Sequence, residues 1–107
     1  MTKSHPIAVI FEVSIKATRK EQYLDIAQTL KSDLEKVDGF ISIERFQSLA
    51  DDEKLLSLSF WRDAAAVKAW REQTAHQDAQ HLGKTEIFNN YHIHVAEVVR
   101  SYGMHDQ

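Results

Sequence analysis

The chain has no cysteine among its 107 residues, which excludes disulfide scaffolds, thiolate zinc sites and thiol nucleophiles. It has one proline and three glycines, and the glycines are not clustered. A collagen-like repeat, the glycine-rich dinucleotide fingerprint and the phosphate-binding P-loop are therefore excluded as well. No apolar run approaches the roughly 20 residues that cross a bilayer. Residues 1–6 lack the apolar stretch of a signal peptide, so we expect a cytoplasmic location.

The charge of the chain is also low, at −3, and lysines and arginines are scattered among acids. Proteins that bind nucleic acids usually present a basic stripe, so we expect neither nucleic acid nor a membrane surface as a partner. The hydrophobic fraction of 43% and the charged fraction of 27% are typical of a globular protein. We expect one domain over 1–107, with a core over about 6–102 and a polar tail at 103–107.

Periodicity predicts six elements in the order β-α-β-β-α-β. Apolar residues alternate with period two in the four expected strands, 7–15, 40–49, 54–62 and 91–100. Helical spacing covers 18–37 and 63 to about 82. Thr18 and Glu21 fit a capping box for the first helix, and Asp63 fits an N-cap for the second. Gly39 is expected to supply the positive φ of the turn between.

This order predicts a ferredoxin-like α+β domain, with a four-stranded antiparallel sheet and both helices on one face. In such a domain the other sheet face meets water and should be polar at alternate positions. Here 7–11 reads IAVIF, which offers apolar groups to both sides. An uncovered apolar face is an association site, so we expect two copies to pack as a homodimer, a dimeric α+β barrel. The alternative is a first strand that is simply central and fully buried.

Several segments occur in an order that resembles the antibiotic biosynthesis monooxygenase family. They are ERF at 44–46, LSLSFWRD at 56–63, AVKAWR at 66–71, His76, AQ at 79–80, GK at 83–84, Tyr91 and VVRSY at 98–102. The resemblance implies the dimeric barrel and a monooxygenase that acts with O2 on a small aromatic, phenolic or quinol-type molecule. It also implies that no metal or flavin is needed, so we expect no cofactor.

A reaction of this kind needs an apolar pocket, a base and a donor for the developing oxyanion. The candidate bases are His76 and His81, because a neutral imidazole accepts protons near neutral pH. On an unbroken helix, His81 would share the face of Trp70 and His76 would not. The candidate substrate-binding residues are Trp70, Trp61, Arg45, Arg71 and Tyr91. Core packing of the tryptophans, surface ion pairs of the arginines (Arg62 included) and solvent-exposed histidines are the alternatives.

A metal or haem site has weaker support. His92 and His94 share one strand face, but no carboxylate stands at a diagnostic spacing, so we expect no metal. In the haem-degrading branch of the family, a Trp on the second helix is followed ten residues later by an axial His. Trp70 fits this pattern, but Gln80 occupies the ligand position. Glu12 or Val13 stands where that branch has an Asn. Haem binding or degradation, with haem as the cofactor, and a non-enzymatic ligand-binding dimer remain the alternatives.

Overall fold

A computed structural model describes residues 5–73 and 87–105 and confirms the α+β fold. Four antiparallel strands form one sheet in the order β2-β3-β1-β4, and two helices pack on one side of it. The strand order is that of a ferredoxin-like domain. The elements are β1 (Ile7–Ile15), a 3₁₀ turn (Ala17–Arg19), α1 (Lys20–Leu34), β2 (Phe40–Gln47), β3 (Lys54–Trp61), α2 (Ala64–Arg71) and β4 (Phe88–Glu97).

The start of α1 differs from the expected capping box. Thr18 lies inside the 3₁₀ turn, and no side chain caps the helix that begins at Lys20. The backbone makes the entry instead, because the amide of Arg19 donates to the carbonyl of Lys16 at 2.8 Å. The predicted Thr18 cap is therefore wrong, since Thr18 lies within a helical turn and not at the flanking position from which a side chain caps a helix.

The strand β4 begins three residues earlier than predicted and includes Asn89 and Asn90. Asparagine is disfavoured in strands, but Asn90 pairs with Ser14 of β1, and Phe88 pairs with Ile15 across an irregularity in the register. Pairing with a buried central strand therefore overrides local preference. The same strand ends at Glu97, three residues before the predicted end at Arg100.

The second helix begins as predicted and ends much earlier. Asp63 Oδ1 accepts a hydrogen bond from the Ala66 amide at 2.9 Å, which confirms the N-cap. The helix ends at Arg71, where the Gln73 amide donates to the Trp70 carbonyl at 3.1 Å in an i→i−3 bond. The expected unbroken helix is wrong at 72–73, so the wheel relation between Trp70 and the later histidines no longer holds. The rest of the segment lies outside the described residues.

The Asp63 cap makes stability depend on pH in a defined direction. The Ala66 amide first, and the Arg62 guanidinium second, hold the pKa of the Asp63 carboxyl below its usual 3.8. A depressed pKa stabilises the fold above pH 3.8, and this stabilisation is lost as the pH falls below that value. We expect Asp63→Ala to lower the melting temperature at pH 7, with a smaller gap to the wild type at pH 3.

Thermal unfolding of Asp63→Ala and Asp63→Asn at both pH values tests this expectation. Asparagine keeps a capping oxygen and removes the charge, so it should lose less stability than alanine at pH 7. An equal gap between wild type and Asp63→Ala at pH 7 and pH 3 would contradict the carboxylate's role.

Gly39 makes the turn before β2 with the predicted positive φ of 93°. A Cβ atom at this position would lie 2.6 Å from the Ala66 Cβ, so the turn also packs directly on α2. Its carbonyl accepts the Arg62 amide at 2.7 Å. Gly39 therefore sets the distance between β2 and the start of α2.

The side of the sheet that faces away from the helices, here called the outer face, carries a cluster of apolar side chains on β3 and β1. In β3 the residues directed to the helices include Ser57 and Ser59, whereas Leu56, Leu58 and Phe60 lie on the outer face and are half-buried. Ile10 of β1 pairs with Leu58 and adds to the same face. In β3 the sheet therefore covers its serines and leaves its leucines on the outer face.

Within the described parts of the chain, none of the helices is long and apolar enough to cross a membrane. The cytoplasmic location stays a prediction.

Candidate functional site

A cavity of about 520 Å³ lies between the two helices and the inward face of the sheet. It separates the core into two clusters. One cluster contains Trp61 and Trp70, and the other contains Tyr23 and Leu55. The gap has a simple origin in β3, where Ser57 and Ser59 stand between Leu55 and Trp61 on one strand face. Side chains this short cannot bring the two clusters into contact, so space remains above them.

All five residues predicted to bind substrate line this cavity: Arg45, Trp61, Trp70, Arg71 and Tyr91. Trp61 and Trp70 are 2% and 6% exposed, so each is a core residue and a cavity wall at once. Arg71 is exposed and Tyr91 half-buried, so they lie toward the solvent side. The two candidate bases, His76 and His81, lie outside the described residues.

Aromatic rings form one end of the cavity. The ring centroid of Phe11 lies 5.8 Å from those of both Phe88 and Tyr91, and Tyr23 meets Phe88 edge-on at 5.9 Å. These distances are typical of tilted aromatic contacts. Together with the two tryptophans, the rings give the cavity the apolar and flat-sided wall that suits a planar ligand.

A few polar groups interrupt this wall. Trp61 Nε1 donates to Ser59 Oγ at 2.9 Å, which fixes the indole against β3. Arg45 extends from β2 into the cavity, and its Nε atom is inaccessible to solvent with no hydrogen-bond acceptor among the described residues. Buried donors are usually paired, so this atom marks a position that a ligand could complete.

Tyr23 lies beside this arginine. Burial raises the pKa of the Tyr23 phenol above its usual range, and the charge and hydrogen bonding of Arg45 offset this only in part. The phenol therefore stays protonated and neutral at working pH, so it is not a counterion for the guanidinium.

Sequence reasoning missed Tyr23, Ser57 and Ser59 as cavity residues. None of the three is among the candidate residues predicted from the sequence, because helical spacing and alternation with leucines by themselves indicate only ordinary packing or a strand with one wet face. A signal was available, because residues two apart on a strand share a face. Once Trp61 is placed in the core, Ser59 and Ser57 must point the same way.

Two other candidate groups lie away from the cavity. Arg62 pairs with Asp38 at 3.0 Å and with Asp63 at 3.1 Å, which is the surface ion pair weighed as the alternative. The rings of His92 and His94 are 4.4 Å apart on the outer face, and Glu12 lies 3.6 Å from His94. Among residues 5–73 and 87–105, no cluster of three or more side chains is suited to a metal ion.

The described part of the cavity wall also contains no His, Cys or Met side chain that could ligate haem iron. Gln80, which occupies the position of the axial ligand in the sequence pattern, lies outside the described residues. The aromatic wall and the Arg45 donor together allow the described cavity to hold a planar apolar molecule and to donate hydrogen bonds to it.

Comparisons with known proteins agree with this geometry. The chain is 39% identical over 94 residues to the jasmonate monooxygenase ABM of Pyricularia oryzae. The aligned segment covers 88% of this chain and 44% of that relative. It is also 30% identical over 93 residues to the uncharacterized protein YqjZ of Bacillus subtilis. That alignment covers 87% of this chain and 79% of YqjZ. The chain thus spans less than half of the fungal relative's length.

The fold also has close matches among solved structures. SnoaB, a cofactor-independent oxygenase from Streptomyces nogalater, superposes with a TM-score of 0.80 over 92% of this chain and 97% of its own, at 7% identity. Residues 6–82 match the sequence profile described as antibiotic biosynthesis monooxygenase. This match spans well over half of the chain and confirms the resemblance found in the sequence motifs. The chain therefore belongs to the antibiotic biosynthesis monooxygenase family.

Proposed function

We propose that this protein is a cofactor-independent monooxygenase that oxygenates an aromatic, phenolic or quinol-type molecule in the cavity between helices and sheet. The single observation that carries the proposal is the aromatic-lined cavity of about 520 Å³, with Trp61 and Trp70 in its wall. Its volume lies within the usual range for small-molecule sites. Family membership supports monooxygenase chemistry, and one structural relative is itself described as a cofactor-independent oxygenase.

The reaction can be balanced without a redox cofactor. An anthrone-type CH2 group loses a proton to a base, and the resulting electron-rich carbanion reacts with O2. One oxygen atom becomes the new carbonyl, and the other leaves as water with the two substrate hydrogens. The substrate supplies all four electrons that reduce O2, so the protein need only bind, deprotonate and stabilise charge.

We assign these tasks to the residues predicted from the sequence. His76 or His81 is the base, Trp61 and Trp70 hold the ring system, and Arg45 binds an oxygen of the substrate through its guanidinium group. Arg71 and Tyr91 bind the part of the substrate nearest to solvent.

We further propose that the protein works as a homodimer through its outer face. Leu56, Leu58 and Phe60 of β3 lie there and are half-buried. Isologous packing of two such faces would cover them and would leave both cavities between their own helices and sheet. Neither proposed role requires nucleic acid, a membrane or a metal.

The test of the proposed activity is oxygen consumption by the purified protein in chelator-treated buffer. The panel contains hydroquinones, anthrones and, separately, haem with a reductant. We expect consumption with at least one anthrone or quinol. We also expect a kcat about 100-fold to 10,000-fold lower in whichever of His76→Ala and His81→Ala removes the base.

His5→Ala serves as the matched control, because His5 is exposed and is not among the residues that line the cavity. Consumption with haem alone would favour the haem-degrading alternative. Unchanged turnover in both histidine variants would show that neither histidine is the base. No oxygen consumption with any compound of the panel would favour a non-enzymatic ligand-binding protein.

A further inference from the structure

We propose that the cavity selects an anionic ligand, an apolar ring-bearing molecule with one carboxylate that binds to Arg45. The inference rests on the proposed function, because it names the substrate class of the same cavity. The observations that carry it are the charges of the wall, the unpaired arginine nitrogen and the hydrogen-bonding character of the remaining polar atoms.

The described wall of the cavity carries cationic side chains and no acidic one. Arg45 and Arg71 are its two charged residues. Arg71 is engaged in an interaction of its own, so the argument uses Arg45 alone. A cation beside an apolar wall loses hydration and is stable only with a compensating partner. In the described parts of the chain, none of the ion pairs involves Arg45.

The Nε–H group of Arg45 is the hydrogen-bond donor that a ligand would satisfy. It is inaccessible to solvent and meets no acceptor in the described residues. Guanidinium groups bind carboxylates through two parallel N–H donors, and Nε–H with a terminal N–H forms one such pair. A carboxylate at this position would satisfy the buried donor and neutralise the charge together.

The other polar atoms of the wall also act as donors. The Tyr23 phenol stays protonated because burial raises its pKa, so it keeps an O–H to donate. Ser59 Oγ already accepts from Trp61 Nε1 at 2.9 Å, which leaves its hydroxyl hydrogen for the cavity. A ligand matched to these groups must bring acceptors, and an ionised carboxylate is acceptor-only.

The register of the sheet places Arg45 and Phe11 two strands apart on the inward face. Arg45 pairs with Ser57, and Ser57 pairs with Phe11, so the three lie in one row across β2, β3 and β1. Neighbouring strands are about 4.8 Å apart, so the Cα atom of Phe11 lies roughly 10 Å from that of Arg45 along that row. A two-ring arene with a terminal carboxylate fits this arrangement, with its rings against Phe11 and Tyr91 and its charge at Arg45.

The test is calorimetric titration with 2-naphthoate and 2-naphthamide, which share rings and shape and differ in charge. The full-length wild type should bind naphthoate at least about tenfold more tightly than naphthamide. Arg45→Met keeps an unbranched apolar stem and removes the donors, so it should abolish this preference and leave naphthamide binding within about twofold. Arg45→Lys should keep part of the preference, because it retains charge without the fork.

Arg62→Met is the matched control, because Arg62 is an arginine bonded at the surface, and it should keep the full preference. Equal binding of both probes by the wild type, no binding of either, or a preference that survives Arg45→Met would overturn the proposal. So would an equal loss of both probes in a folded Arg45→Met protein.

The binding and oxygen experiments separate the two proposals. Oxygen consumption by the wild type with an anthrone or quinol, together with no preference for naphthoate, would overturn this inference and leave the oxygenase intact. If the protein prefers naphthoate through Arg45 but consumes no oxygen with any compound of the panel, the oxygenase proposal is wrong and the carboxylate site is supported.

Discussion

A protein carrying Leu58→Glu is expected to sediment as a monomer at concentrations where the wild type is a dimer. Leu58 lies at the centre of the outer face, opposite Ile10 of the central strand. Two-fold symmetry would bury one new carboxylate from each copy at the interface, directly beside Glu44, which pairs with Leu58. We expect the dissociation constant to rise by roughly a thousandfold, equivalent to about 4 kcal/mol. Sedimentation equilibrium over a range of concentrations measures this directly.

Leu24→Glu makes the same change on the helical side of the domain, where Leu24 is 44% exposed on α1. This control should keep the assembly of the wild type. Circular dichroism shows whether the Leu58→Glu chain has folded. A wild type that is monomeric at all concentrations, or a folded Leu58→Glu protein that is still dimeric, would show that the outer face is not the interface.

Replacing Gly39 with alanine is expected to lower the free energy of unfolding by about 2 to 5 kcal/mol. Two effects add. Alanine is strained at a φ of 93°, and its Cβ would lie 2.6 Å from that of Ala66. Relief of the contact requires β2 and α2 to separate. Urea unfolding monitored by tryptophan fluorescence measures the loss, because Trp61 and Trp70 lie in the adjacent cluster.

Gly103→Ala is the matched control, because Gly103 is exposed and does not have a positive φ. We expect a change of less than about 0.5 kcal/mol there, as for most surface substitutions. Equal stabilities of Gly39→Ala and Gly103→Ala would rule out both strain and contact at Gly39.

The fold was predictable because its strands follow period two and its connections are short. The order of elements, the N-cap at Asp63 and the turn at Gly39 each depend on local chemistry that a sequence states directly. Boundaries set by distant partners were not predictable in this way. Asn90 is in a strand because Ser14 pairs with it, and no local preference indicates that pairing.

The candidate site shows the same division. Its large or charged residues, such as Trp70 and Arg45, could be named as candidates from the sequence, because such side chains are either costly to bury or make many contacts when buried. Ser57 and Ser59 were not predicted, because serine between leucines is typical of a strand with a wet face. In β3 of this chain the serines face the helices and the leucines lie on the outer face, which is the opposite of the usual arrangement.

The pairing of β1 with β4 has a consequence for how the chain acquires its structure during synthesis. Ile7 pairs with Glu97, about 90 residues later, so one edge of the central strand stays unpaired until Glu97 has emerged. During that interval its apolar side chains are open to other nascent chains. A translational pause before β4, or a truncation within it, should therefore favour aggregation far more than a pause within the tail that follows.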